Sequence, residues 1–180
     1  MSRMTSQKPP ATSRTPVAPP PRWAVRAAHL AALVVLPSAL WRIALVLGHP
    51  AGYTEAGFEP FATVDAQVWM LTLSVVSELA ALLTIGLVRP WGEVVPRWIP
   101  LIGGRGVRPM AAVVAAAPGA VALTLIWATV PLWWTYPHEE MTATGNLVVG
   151  VLYQPLVLWG PLTAAVTLSC HRRHRVRRRG

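Results

Sequence analysis

The chain is short of charge, of cysteine and of acidic residues. Only 13% of its 180 residues are Asp, Glu, Lys or Arg, whereas 53% are hydrophobic. Soluble domains carry about 25% charged residues, so the composition argues against an ordinary water-soluble fold. The single cysteine, Cys170, excludes an intrachain disulfide and any multi-cysteine zinc site. It reads as a reduced structural thiol. There is no HExxH, no nucleophile motif and no paired-carboxylate arrangement. The GGRG run at 103–106 lacks the Lys-Ser/Thr ending and the preceding strand of a phosphate-cradling loop, and reads as a surface turn. His138, Glu139 and Glu140 lack a third ligand at useful spacing, and the arginines around His171 and His174 would repel a dication. The expectation is a protein that is not an enzyme, with no cofactor and no metal.

What the chain does hold is four long apolar blocks. The second, QVWMLTLSVVSELAALLTIGLV over 67–88, contains no proline and no basic residue. About 20 apolar residues at a 1.5 Å rise cover roughly 30 Å of hydrocarbon, so this block is long enough to cross a bilayer. The predicted spans are 23–48, 67–88, 110–134 and 146–169. They give an all-α, four-helix transmembrane bundle over 23–169. The first apolar block is too long for the core of a cleaved signal peptide. Pro37 is expected to kink the first span, because it lacks a backbone donor and crowds the Leu33 carbonyl. Pro118-Gly119 marks a bend in the third. In the third span Ala112, Ala116, Ala120, Thr124 and Ala128 form a small-residue stripe that permits close helix approach.

Residues 1–22 are rich in proline, serine and threonine and have little to bury, which predicts a disordered cytoplasmic tail. The 89–109 loop holds four prolines and four glycines, with Trp91 and Trp98 suited to the headgroup region. Residues 170–180 form a basic tail.

The sparse charges are sorted by side. The loops at 49–66 and 135–145 contain five acids and no Lys or Arg. The N-terminal tail with the start of the first span, the 89–109 loop and the C-terminal tail contain fifteen of the 16 basic residues and one acid. By the positive-inside rule both termini are cytoplasmic, which makes this a multi-pass protein of the plasma membrane. The abundance of Arg, Ala, Pro, Gly and Val, which have GC-rich codons, suggests a high-GC bacterial source.

Two charges remain within the membrane, Arg42 and Glu78. A charged residue at a helix centre costs about 2.5–3.5 kcal/mol on insertion scales. Ser74, Ser77, Glu78, Ala81 and Thr84 share one helical face. Counted by helix rise, Arg42 lies ~9 Å and Glu78 ~16 Å from the outer ends of their spans. A difference of ~7 Å is within reach of an arginine side chain. Thr124 and Gln154 fall at similar depth, with Pro155 freeing the Val151 carbonyl nearby. The expectation is an intramembrane polar cluster of Arg42, Glu78, Thr124 and Gln154. It serves either as an interhelical ion pair or as a substrate or proton site.

Arg172, Arg173, Arg175, Arg177, Arg178 and Arg179 are expected to anchor the tail at the lipid surface, at ~1 kcal/mol each on anionic lipid. Nucleic acid is not an expected partner, because no interleaved aromatics accompany the arginines. The RPWGEVVPRWIPLIGGRGVRP loop, followed by an Ala/Val-rich span, resembles uncharacterised integral membrane proteins of high-GC bacteria. That resemblance implies a four-span architecture and no known activity. The function expected is that of an accessory or interaction protein, with a membrane-protein partner or a homo-oligomer. The alternative is a small transporter or permeation unit using Arg42 and Glu78.

Overall fold

The computed structural model describes residues 19–89, 104 and 109–177. The expected disordered tail falls almost entirely outside the described residues, as do most of the 89–109 loop and the side chains of Arg177, Arg178 and Arg179.

Helices account for nearly all of the described secondary structure. Among the described residues four stretches are long and apolar enough to cross a membrane: Arg22–Val46, Val64–Gly86, Met110–Thr135 and Ala143–Arg175.

The first span is two helices, α1 (Arg22–Leu33) and α2 (Leu36–Val46). They are separated at Val34 and Val35, just before Pro37. Pro37 cannot supply a backbone donor to Leu33, so the ladder stops and restarts. The Ser38 hydroxyl donates to the Val35 carbonyl at 2.9 Å and satisfies an acceptor at the break. A four-residue helix, α3 (Glu55–Phe58), follows in the loop after the first span.

The second span is α4 (Val64–Gly86), three residues longer at its start than the apolar run suggests. Thr63 explains the extension, because its hydroxyl accepts from the Ala66 amide at 3.4 Å. Asp65 in the first turn complements the helix dipole.

The third span is α5 (Pro109–Trp127), continued by a 3-10 segment over Val130–Thr135. Pro118 lies inside α5 without ending it. The fourth span comprises α6 (Ala143–Tyr153), a 3-10 turn over Gln154–Leu158 and α7 (Trp159–Arg177). The turn falls at Pro155, where the regular ladder cannot continue. Past Ser169 there is no Gly or Pro before Gly180. Helix α7 therefore runs on into the basic segment expected to be a tail.

Among the described residues α1 packs against both α4 and α7, α2 against α4 and α6, and α5 against α7. The spans thus line up in the order two, one, four, three. Ala24, Ala28 and Ala31 are fully buried on one face of α1. Their small size lets the flanking spans close on it. Two apolar clusters fill the contacts, one around Ala31, Val35, Ala81, Leu156 and Trp159, the other around Ala24, Ala28, Val88 and Val166. At the α5–α7 crossing, a Cβ on Gly160 would lie 2.5 Å from the Thr124 amide nitrogen and 2.7 Å from its Cα. Only glycine permits that approach.

The loops that follow the first and third spans are clasped together. Tyr53 and Met141 form an antiparallel bridge. The Thr54 amide donates to the Glu140 carbonyl at 2.9 Å, and the Thr142 amide to the Gly52 carbonyl at 3.0 Å. Each threonine hydroxyl repeats its own amide's bond, Thr54 to Glu140 at 3.0 Å and Thr142 to Gly52 at 3.1 Å. Each hydroxyl also caps the helix that follows, accepting from Gly57 at 3.1 Å and from Gly145 at 3.0 Å. The two halves of the clasp therefore share a local two-fold pattern built on Thr-x-x-Gly. A Cβ on Gly57 would overlap the Glu140 carbonyl, and one on Gly145 the Gly52 carbonyl.

Candidate functional site

Arg42 is the centre of the polar interior. It sits one turn after Ser38 on α2, on the side facing α4, and is 8% exposed. Its Nε donates to the Ser74 hydroxyl at 2.9 Å. Ser74 in turn donates to the Met70 carbonyl at 2.9 Å, so the serine bridges guanidinium and backbone. The guanidinium also lies beside the Tyr153 hydroxyl at the end of α6. A buried charge on α2 is thus held by groups from two other helices, α4 and α6.

Glu78 lies one turn below Ser74 on the same face of α4. It is within electrostatic reach of Arg42, but the two do not approach within the 4.0 Å of an ion pair. One carboxylate oxygen, Oε1, and one guanidinium nitrogen, Nη2, are buried without a hydrogen-bond partner. The direct contact of Arg42 is therefore Ser74, and Glu78 completes the layer through space.

The other two residues of the expected cluster have different partners. The Thr124 hydroxyl donates to the Ala120 carbonyl at 2.8 Å, and its backbone meets Gly160 at the α5–α7 crossing. Gln154 Nε2 donates to the Val130 carbonyl at 3.1 Å. It ties the turn in the fourth span to the C-terminal end of the third. A further interhelical polar contact lies near the C-terminal end of α4, where the Thr84 and Thr163 hydroxyls stand 3.5 Å apart.

Above Arg42 runs a chain of aromatic rings that no sequence spacing announced. Phe61 and Tyr53 have centroids 4.8 Å apart, Tyr53 and Trp41 5.8 Å, Trp41 and Tyr153 5.6 Å, and Tyr153 and Trp127 6.0 Å. The rings come from the first loop and from the first, third and fourth spans. Their sequence positions are too scattered to form a motif, although Trp41 beside Arg42 is a partial signal. Trp41 Nε1 donates to the Ala51 carbonyl at 2.9 Å. Ala51 adopts φ 48°, a left-handed conformation unusual for alanine, and Gly52 follows at φ 103°. The strained turn aims that carbonyl at the indole. Tyr53, in the loop after the first span, has its phenol pushed up from the ordinary 10.0 to about 12, chiefly by burial and then by the neighbouring Tyr153 and Glu140.

At the opposite end Arg173 Nη2 donates to the Leu87 carbonyl at 2.9 Å, capping the end of α4. Arg89 contacts His29 Nε2 at 3.2 Å. Arg172 and Arg175 are exposed on α7.

The class these observations define is an all-helical protein with four helices fit to cross a membrane, closed on one side by a loop clasp and carrying a buried arginine layer. The chain matches no family model, no curated protein and no solved structure.

Proposed function

We propose that the chain is a non-enzymatic protein of a bacterial plasma membrane that works by association, as an accessory subunit or interaction partner. Both termini face the cytoplasm in this reading, and the basic segments lie at the headgroups of that leaflet. The charge pattern supports the orientation, because the clasped loops contain only acids and the opposite ends nearly all the arginines.

The observation that carries the association reading is the one-sided packing of the third span. Helix α5 lies against α7, and among the described residues its other face is uncovered. On that face Ala111, Ala115 and Gly119 follow one another at every fourth residue, all exposed. A Cβ on Gly119 would have nothing within 4 Å. Small residues at this spacing favour close packing of another transmembrane helix. The partner is a second copy of the chain or another membrane protein. Cross-linking in native membranes, followed by extraction in mild detergent, tests this. A higher-mass complex that is lost in Ala115→Leu or Gly119→Leu is expected, and a solitary monomer refutes the reading.

The unpartnered Arg42 Nη2 and Glu78 Oε1 favour a second reading, a small transporter or permeation unit. Glu78→Gln in reconstituted vesicles decides it. Proton- or solute-dependent flux unchanged by the substitution ends the transport reading.

A further inference from the structure

A groove of ≈ 390 Å³ lies where the start of α1 meets α7. Pro21, Trp23, Ala165 and Leu168 make its apolar wall, and Arg172 and Arg173 close one end. Ala165, Leu168, Arg172 and Arg173 follow on one face of α7, so the wall passes from apolar to cationic over ~10 Å of helix.

Three features distinguish this end from the rest of the basic segment. Arg173 is held in place by its bond to the Leu87 carbonyl at 2.9 Å. That bond engages one nitrogen, and Arg173 Nε remains buried without a partner. Beside these fixed donors, Trp23 and Leu168 are 54% and 55% exposed. An indole at the end of a membrane span marks the interfacial depth, where headgroup and acyl chain meet. A ligand that answers both halves needs an anionic oxygen group joined to a long apolar chain. Basic pockets between membrane helices fit phospholipid headgroups of this kind.

We infer that the groove holds one anionic phospholipid. Its phosphate rests on Arg172 and Arg173, and one acyl chain lies along Trp23, Ala165 and Leu168. The site does not depend on the association proposed for the third span, since α5 contributes nothing to it.

Native mass spectrometry of the full-length protein tests the site, with phosphatidylglycerol and phosphatidylcholine of identical acyl chains as probes. One retained phosphatidylglycerol is expected, favoured over phosphatidylcholine by about tenfold or more for two guanidiniums at the surface. Arg172→Gln with Arg173→Gln reduces retention to the phosphatidylcholine level. Ala165→Trp fills the wall without touching charge and displaces the lipid. Leu168→Asn, at an exposed position where folding is preserved, weakens retention in the same direction. The triple change Arg177→Gln, Arg178→Gln and Arg179→Gln leaves the bound lipid in place. Equal retention of the two lipids overturns the inference. So does loss in the triple variant with no effect at Ala165 and Leu168, which would mean diffuse attraction to the tail. Complete displacement by glycerol 3-phosphate, which has no acyl chain, would also overturn it.

Discussion

At the scale of single residues, two glycines in neighbouring helices make opposite demands. Gly160 sits where the α5 backbone presses on α7, and a Cβ there meets Thr124 main-chain atoms at 2.5 and 2.7 Å. Backbone cannot swing aside as a side chain can. Gly160→Ala is expected to destabilise by about 1–3 kcal/mol, the range for overpacking a close contact. Gly119 meets no atom of its own chain, so in the dissociated monomer Gly119→Ala gains about 0.5–1 kcal/mol from helix propensity. Denaturation of the two variants in the same detergent reads the contrast. Arg42 offers a second check. Its bond to Ser74 is buried and charge-assisted, yet polar contacts between membrane helices average about 0.6 kcal/mol with a maximum near 1.7. A double-mutant cycle of Arg42→Ala and Ser74→Ala should give a coupling in that window. A cycle that closes to zero would mean the 2.9 Å contact does not hold α2 to α4.

The residue scale is also where sequence legibility was uneven. Arg42 and Glu78 stood out as the two charges left over once the other Asp, Glu, Lys and Arg residues are sorted to the two ends of the spans, and helix rise brought them to comparable depth. The structure adds that Ser74, one turn before Glu78 on α4, takes the guanidinium. Helix rise resolves depth, but it does not resolve which way α2 and α4 are rotated. Rotation decides the contact. For the same reason Thr124 and Gln154 matched in depth while facing the α5–α7 crossing and the outer junction.

At the scale of elements, prolines and threonines do the dividing. Pro37 and Pro155 split the first and fourth spans; Ser38 satisfies a carbonyl at the first break, and Tyr153 brings the second up to Arg42. Pro118 does not break α5, which runs through it from Pro109 to Trp127. The small-residue stripe of α5 drifts, because a step of four residues advances by 400° rather than a whole turn, about 40° too far. Ala120 is buried, while Thr124 and Ala128 are exposed. The clasp between the loops is legible only in retrospect, as the paired Thr54-x-x-Gly57 and Thr142-x-x-Gly145. Its pH response follows from Tyr53. The folded phenol titrates at about 12 against 10.0, so between those values the folded chain keeps a proton that the unfolded chain has lost. The Tyr53 contribution to stability is complete below pH 10 and is lost as pH rises toward 12. Ultraviolet titration of phenolate should show this tyrosine ionising well above an ordinary one, and Tyr53→Phe should remove that late step.

At the scale of the whole molecule, the spans stand in the order two, one, four, three, with α1 and α7 at the middle. The polar inventory follows this layout. Acid-bearing loops meet at the clasp, and arginines gather at the other end with Arg89, Arg172, Arg173 and Arg175. The orientation is checked by labelling from outside with a membrane-impermeant maleimide in a Cys170→Ser background. Glu59→Cys and Glu139→Cys should label in intact cells. Ser6→Cys should label only after the membrane is opened. The reverse pattern would invert the topology and place the basic ends outside.

The sequence by itself determined the number of spans, their approximate ends and the separation of charge between the two sides, because length, hydropathy and proline act locally along the chain. It also singled out Arg42 and Glu78, since charge in an apolar run needs no fold to be noticed. Only the tertiary structure decided the order of the spans, the Ser74 partner of Arg42, the ring chain from Phe61 to Trp127 and the loop clasp. The physical reason is that a helix apolar on every side carries no inscription of which side its neighbour will occupy. That choice is made by close packing at a few small residues, Ala24, Ala28, Ala31 and Gly160 among them.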